Sequence, residues 1–197
     1  MPFNDFSQQD FAAKIVQDYI DMDVPPENVW LQSSTVADIE YWITTPYGPQ
    51  ALMLDFEDDR VVGDDELWLD AVASTGVKFL GPPMWKLVVP NPEAGKNIYT
   101  SDMIPSPFAE QIKAREMAII PWTMSRTGDS VTTLDRPESV DYYWQTLQGQ
   151  GLNLTEGSRF DLLDVLYKDV GVAGIFDDWP ALSTFYANCM DIKLRLF

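Results

Sequence analysis

The chain has 197 residues, 13 basic and 31 acidic, for a formal net charge of −18, with one cysteine, Cys189, and no histidine. That charge argues against duplex nucleic acid or an anionic membrane face as a partner, since binding there depends on lysine and arginine neutralising phosphates, and a lone cysteine forbids an intrachain disulfide. Without histidine there is no Ser-His-Asp or Cys-His arrangement, no imidazole general base and no histidine metal site.

Hydrophobic residues make up 46% of the chain and aromatics 13%, ample for a proper core. No run reaches the ~18 uninterrupted apolar residues of a membrane span. The opening Met1-Pro2-Phe3-Asn4-Asp5 lacks the basic and apolar regions of a signal peptide, and such a start fits an internal piece of a longer chain equally well.

Phe11, Ile15, Tyr19 and Met22 recur at helical spacing and predict a helix over 7–22, ended by Pro25-Pro26. Residues 28–31 (Asn-Val-Trp-Leu) predict a buried strand, and Ser34-Thr35 supply N-cap chemistry for a helix running to about residue 43. A strand over 51–55, an acidic loop and a helix over 64–73 follow, and Gly76 separates that helix from a strand over 77–80. A proline-rich excursion over 82–107 leads into a helix over 107–116 and the most apolar strand, 117–122. The remainder predicts a helix over 136–147, a glycine-bearing loop over 149–157, a helix over 160–167, a strand over 172–176 and a helix over 179–190.

Each strand is followed by a helix, the pattern of an α/β fold around a parallel sheet. There is no fixed-period repeat, low-complexity tract or composition shift, so residues 1–197 read as one domain. Eight such units close a barrel of ~250 residues, whereas five leave two open edges. The five therefore form either a small open doubly wound sheet or an incomplete (β/α)8 barrel, and periodicity does not reveal the strand order.

Several segments resemble the second half of the glycerophosphodiester phosphodiesterase family of TIM-barrel hydrolases. Gly174-Ile175-Phe176-Asp177-Asp178-Trp179-Pro180 resembles the family's closing strand, and Tyr186-Ala187-Asn188-Cys189-Met190 a helix ending of its longer members. Val29-Trp30-Leu31-Gln32-Ser33 is similar to the family strand ending in Gln-Ser-Phe, with Ser34 in place of the aromatic. The strand before Lys86 and the Pro121-Trp122-Thr123 strand end fall in the family's order and spacing. The resemblance runs from about Gln8 to Met190 and implies the last five strand-helix units of the barrel.

Family members begin with His-Arg-Gly, continue with Glu-x-Asp and a second histidine, and place another glutamate at the end of the third strand. Their histidines act as general acid and base, and three carboxylates hold calcium or magnesium. None of those motifs is present in this sequence. The resemblance therefore implies a C-terminal portion that carries no catalytic residue and no metal ligand and is inactive alone. The intact relative would use a divalent ion to hydrolyse a small glycerophosphodiester to an alcohol and glycerol 3-phosphate. Longer members imply a periplasmic or extracellular location. The competing reading is a non-catalytic half-barrel that binds a ligand or self-associates.

Active sites of such barrels lie at the C-terminal strand ends, which singles out Gln32, Lys86, Trp122 and Arg126 for substrate binding. Gln32 ends a strand and can hydrogen-bond a substrate oxygen, or be satisfied by a neighbouring loop. Lys86 follows the stiff Gly81-Pro82-Pro83-Met84-Trp85 loop and suits a phosphate, against the alternative of a solvated surface lysine. Trp122 lines the pocket wall or sits in the core. Arg126 makes a bidentate contact with the phosphodiester or pairs with Asp129. Asp178 reads as a structural cap on the helix starting at Pro180.

The acidic stretches Asp55-Phe56-Glu57-Asp58-Asp59 and Asp64-Asp65-Glu66 lack EF-hand spacing and read as a solvated face rather than a calcium site. Gly63, Gly76 and Gly81 form no phosphate-cradling motif. Asn153-Leu154-Thr155 fits the N-glycosylation acceptor pattern, which matters only in a secreted protein.

Overall fold

Ser7 opens the first helix, α1 (Gln8–Asp21), through a capping box: its hydroxyl accepts from the Asp10 N–H, and the Asp10 carboxylate accepts from the Ser7 N–H at 2.9 Å. The side-chain and backbone hydrogen bonds from Ser7 hold the Asp10 carboxyl below the ordinary carboxylate range. The contribution of this cap is present above that range and is lost as pH falls through the lowered value. The computed structural model describes residues 6–56, 64–96, 100–126, 142–155 and 157–192. The chain divides into two compact units, one from Met1–Gly81 and Gln111–Ala118, the other from Pro82–Glu110 and Ile119–Phe197.

In the first unit α1 turns Ala12 and Val16 inward, with Ile15 and Tyr19 half-buried at the flanks. Phe11 and Met22, expected on the apolar stripe, are exposed. The expected strand over 28–31 begins later, because Pro26–Asn28 forms a tight helical turn and only Gln32–Ser33 (β1) pairs. Helix α2 (Val36–Trp42) follows, and its Trp42 indole N–H donates to the Ala12 carbonyl at 3.0 Å. Thr35 precedes α2 without capping it through its side chain; its N–H donates instead to the Ser33 hydroxyl, which departs from the expected Ser34-Thr35 cap.

Strand β2 (Leu52–Leu54), helix α3 (Asp65–Ser74) and strand β3 (Phe79–Gly81) complete this part as expected. The strands run parallel, with Gln32 opposite Leu52 and Leu52 opposite Phe79. Asp64 accepts from the Leu67 N–H and caps α3, so this part of the second acidic run serves a helix end. Ile39, Leu52, Leu69 and Leu80 are fully buried beside the sheet.

The proline-rich excursion holds a hairpin absent from the sequence reading: β4 (Val88–Pro90) pairs antiparallel with β5 (Met103–Pro105), Val89 opposite Ile104. Helix α4 (Pro107–Ala114) leads to β6 (Ala118–Ile119), and the Ala118 N–H donates to the Lys78 carbonyl at 2.8 Å. The parallel sheet has the order β1-β2-β3-β6, which establishes a mixed α/β chain. Helices α5 (Tyr142–Gly149), α6 (Ser158–Val165) and α7 (Ala181–Cys189) follow; the expected helix residues 136–141 lie outside the described residues. After α6 the chain widens into a π-helical turn over Leu166–Val170, which ends at Gly171 with φ +80°. The expected strand over 172–176 forms no regular strand, although the Ala173 and Phe176 N–H groups and the Phe176 carbonyl bond to the neighbouring segment.

Gly48 lies against the main chain of the preceding turn. A Cβ there would lie 2.5 Å from the Ile43 Cα and 2.7 Å from the Trp42 carbonyl oxygen, both main-chain atoms that no rotamer change can move. Gly48→Ala should therefore lower unfolding stability by about 1–3 kcal/mol, measured by urea denaturation, whereas Gly149→Ala, with open space at its Cβ, should not.

Candidate functional site

Three extended segments of the second unit run side by side. Trp122 donates its N–H to the Pro82 carbonyl at 3.0 Å and accepts from the Met84 N–H at 2.8 Å, a parallel bridge with Pro83. On the other edge, the Ala173 and Phe176 N–H groups donate to the Ile119 and Pro121 carbonyls at 2.8 and 2.9 Å, and the Met124 N–H donates to the Phe176 carbonyl at 3.0 Å. The Asp178 N–H then donates to the Ser125 carbonyl at 3.1 Å. The carboxyl ends of these segments carry Trp85 and Lys86, Trp122 to Arg126, and Asp177 to Trp179.

The rings gather at those ends. Trp85 stacks on Tyr143 with centroids 5.0 Å apart and planes 18° apart. Trp122 meets Trp85 edge-on at 5.3 Å and Tyr143 edge-on at 5.6 Å. Trp144, the next residue of α5, is fully buried and donates to the Met124 carbonyl at 2.9 Å, which locks the helix that presents Tyr143. Gln150 at the far end of α5 donates to the Trp85 carbonyl at 3.1 Å.

Arg126 joins this cluster. Its Nη1 donates to the Tyr143 hydroxyl at 3.0 Å, and its Nε lies 3.8 Å from the Asp178 carboxylate with both side chains more than half exposed. The Trp179 indole N–H donates to the Arg126 carbonyl at 3.2 Å. Asp129, the expected partner of Arg126, lies outside the described residues. Asp178 does not cap α7, whose first turn has no side-chain cap; it faces Arg126, and the neighbouring Asp177 accepts from the Trp179 N–H just before the helix and from the Ser183 hydroxyl.

The four residues expected to bind substrate thus divide. Trp122 and Arg126 meet around Tyr143. Lys86 belongs to the same unit but is half-buried, its ammonium 4.3 Å from the centroid of the Phe108 ring, while Ser106 donates its hydroxyl to the Lys86 carbonyl. Gln32 stands in the first unit, exposed on β1. Beside it, Ser33 donates to the buried Asp38 carboxylate at 2.7 Å, which also accepts from Gln8 at 2.8 Å.

Sequence reasoning missed Tyr143, whose helix start fell outside the strand-end rule. It also grouped Asp55 with a solvated acidic run, whereas Asp55 is 1% exposed at the end of β2, its N–H donating to the Gly81 carbonyl at 2.9 Å. Its place directly after an apolar strand was the signal that separates it from its neighbours; residues 57–59 lie outside the described residues. Among the described residues no three Asp, Glu or Cys side chains are placed to hold a metal ion.

An apolar cavity of about 240 Å³ lies elsewhere in the second unit, lined by residues including Leu163, Leu166, Val172, Ile175 and Tyr186, and none of the four expected binding residues borders it. Tyr186 donates to Asp164 at 2.8 Å, and Lys168 pairs with the same carboxylate oxygen at 2.7 Å. Burial first, then the hydrogen bond and charge of Asp164, push the Tyr186 phenol well above its ordinary value.

Two outcomes follow from this geometry. A double-mutant cycle of Trp122→Leu and Tyr143→Leu, read by urea denaturation, should give a coupling of about 0.5–1.5 kcal/mol. Above the ordinary phenol pKa the unfolded chain ionises Tyr186 while the native state keeps its proton, so stability is held below about pH 10 and falls as pH rises further. Thermal melts from pH 9 to 11 should decline more steeply for the native sequence than for Tyr186→Phe, by at most the slope of one proton.

No protein-family model matches the sequence. An "Extracellular protein" of Arthroderma benhamiae (strain ATCC MYA-4681 / CBS 112371) is 31% identical to the chain over 198 residues, a match that spans 98% of this chain and 76% of that protein. Identity at this level along nearly the whole chain reaches every element described above, and the chain belongs to the family of that fungal extracellular protein.

Proposed function

We propose that this chain is the substrate-binding portion of an extracellular phosphodiester hydrolase of the glycerophosphodiester phosphodiesterase type. The observation that carries the reading is the meeting of Arg126, Trp122 and Tyr143 at the carboxyl ends of three extended segments, where barrel enzymes bind phosphate. In the proposed role the Arg126 fork donates to the non-bridging oxygens of the diester, and Trp122 and Trp85 wall the glycerol backbone. The overall reaction adds water at phosphorus and breaks its bond to the alcohol, leaving glycerol 3-phosphate. The proton-carrying groups and the divalent ion would be held outside these 197 residues, in keeping with the absence of histidine. The finer fold in this proposal is the last five strand-helix units of an eight-unit barrel. The printed name of the Arthroderma relative supports the extracellular location. A non-catalytic binding module is the second reading, favoured by an aromatic and arginine cluster complete within one unit of the chain.

Tryptophan fluorescence of the 197-residue chain titrated with glycerophosphocholine should show saturable quenching, with release of glycerol 3-phosphate undetectable. Arg126→Ala should weaken that binding about tenfold, the loss of one charge-assisted hydrogen bond. Hydrolysis by the chain alone would overturn its assignment as a binding portion. Absence of binding by a folded chain would overturn the phosphodiester reading itself. The gene product extended upstream of the Met1 codon should hydrolyse glycerophosphocholine; binding without turnover there would favour the module.

A further inference from the structure

Asn153-Leu154-Thr155 is the single Asn-x-Ser/Thr sequence in the 197 residues. It lies in the connection between α5 and α6, where Leu152 is buried, Asn153 exposed and Leu154 half-buried. This alternation anchors the loop through its leucines and turns the Asn153 carboxamide to solvent. Asn153 makes no hydrogen bond among the described residues, so a substituent on its Nδ2 removes no contact from the fold. Thr155 is exposed, and its N–H donates to the Ser158 Oγ at 2.8 Å while its carbonyl accepts from the Ser158 N–H at 3.0 Å. Those two bonds tie the acceptor loop to the first turn of α6 and keep the tripeptide at the surface.

We propose that Asn153 is an N-glycosylation site, occupied whenever the chain passes through a secretory route; its use in the native protein rests on the extracellular reading above. The co-reactant is a lipid-diphosphate-linked oligosaccharide. The Asn153 Nδ2 forms a bond to the anomeric carbon of the sugar and loses one proton, the bond from that carbon to the phosphate oxygen breaks, and the lipid diphosphate leaves. The Thr155 hydroxyl supplies the required group two residues on.

The test is to express the full chain behind a cleavable secretion leader in yeast, probing medium and cell lysate with and without peptide-N-glycosidase. The native sequence and Thr155→Ser should carry one glycan that the enzyme removes, leaving aspartate at position 153 by peptide mass. Asn153→Gln and Thr155→Ala should carry none. Leader-cleaved native chain that co-migrates with Asn153→Gln, in both medium and lysate, would overturn the proposal. Because the added leader supplies entry to the pathway, absence of the native protein from the culture filtrate of its own organism would overturn the extracellular reading while leaving this result standing.

Discussion

The extended segment 121–125 is hydrogen-bonded along both edges, to 82–84 on one side and to 173–178 on the other, and the side chains around Arg126 take their places from it. These bonds are between main-chain groups, so they fix where each segment ends without using the side chains that project there. Trp85, Trp122 and Arg126 are then brought to one level by backbone register, and Tyr143 enters from α5 to fill the space between them. The fully buried Trp144 makes that entry rigid, since its indole N–H bonds a carbonyl of the same doubly paired segment.

Helices were legible because their signals are local. The spacing of Ile15 and Tyr19 with the Pro25-Pro26 stop, and Gly76 after α3, each act within a few residues of their own position, and the observed bounds follow them closely, although Phe11 and Met22 of the same spacing are exposed. Strand partners were less so, because pairing belongs to the backbone rather than to the apolar run. In the first strand the buried residues are Val29 and Leu31 while the paired ones are the polar Gln32 and Ser33. The hairpin of β4 and β5 was hidden by Pro90 and Pro105, which read as punctuation yet sit in a two-stranded sheet where a missing N–H can face outward. Of the site, Trp122 and Arg126 were found because they lie at or just beyond a strand end. Tyr143 depends on a long-range contact with no trace in its own neighbourhood, and Asp177 and Asp178 are chemically identical neighbours whose roles differ only by the direction of the turn.

The net charge of −18 bears on what this cluster can hold. A phosphodiester anion approaching the chain meets an unfavourable field at long range, but at physiological ionic strength that field decays over about 8 Å. Near the surface the outcome is decided by the groups in contact. The pair between Arg126 and Asp178 is long, at 3.8 Å, and exposed on both sides, so by itself it contributes little. The Tyr143 hydroxyl orients the guanidinium without adding a competing charge.

The chain lacks the one side chain whose ordinary pKa lies near neutrality; the Tyr186 phenol is moved further from it, while burial, then the charges of Asp102 and Asp164, raise the Asp161 carboxyl. In the proposed role, proton transfer is assigned to groups outside these residues, and this chain contributes contact with the reacting phosphoryl group. Such contact raises turnover only where it strengthens as charge builds on the phosphoryl oxygens; equal contact with substrate and transition state would tighten binding alone. A guanidinium fork already aimed by Tyr143 can follow that change in charge without first reorganising, whereas the Trp122 and Trp85 rings meet the uncharged glycerol carbons equally in both states. In the proposed role, Arg126 would therefore act on turnover and the tryptophans on affinity, and both effects issue from the same doubly paired segment.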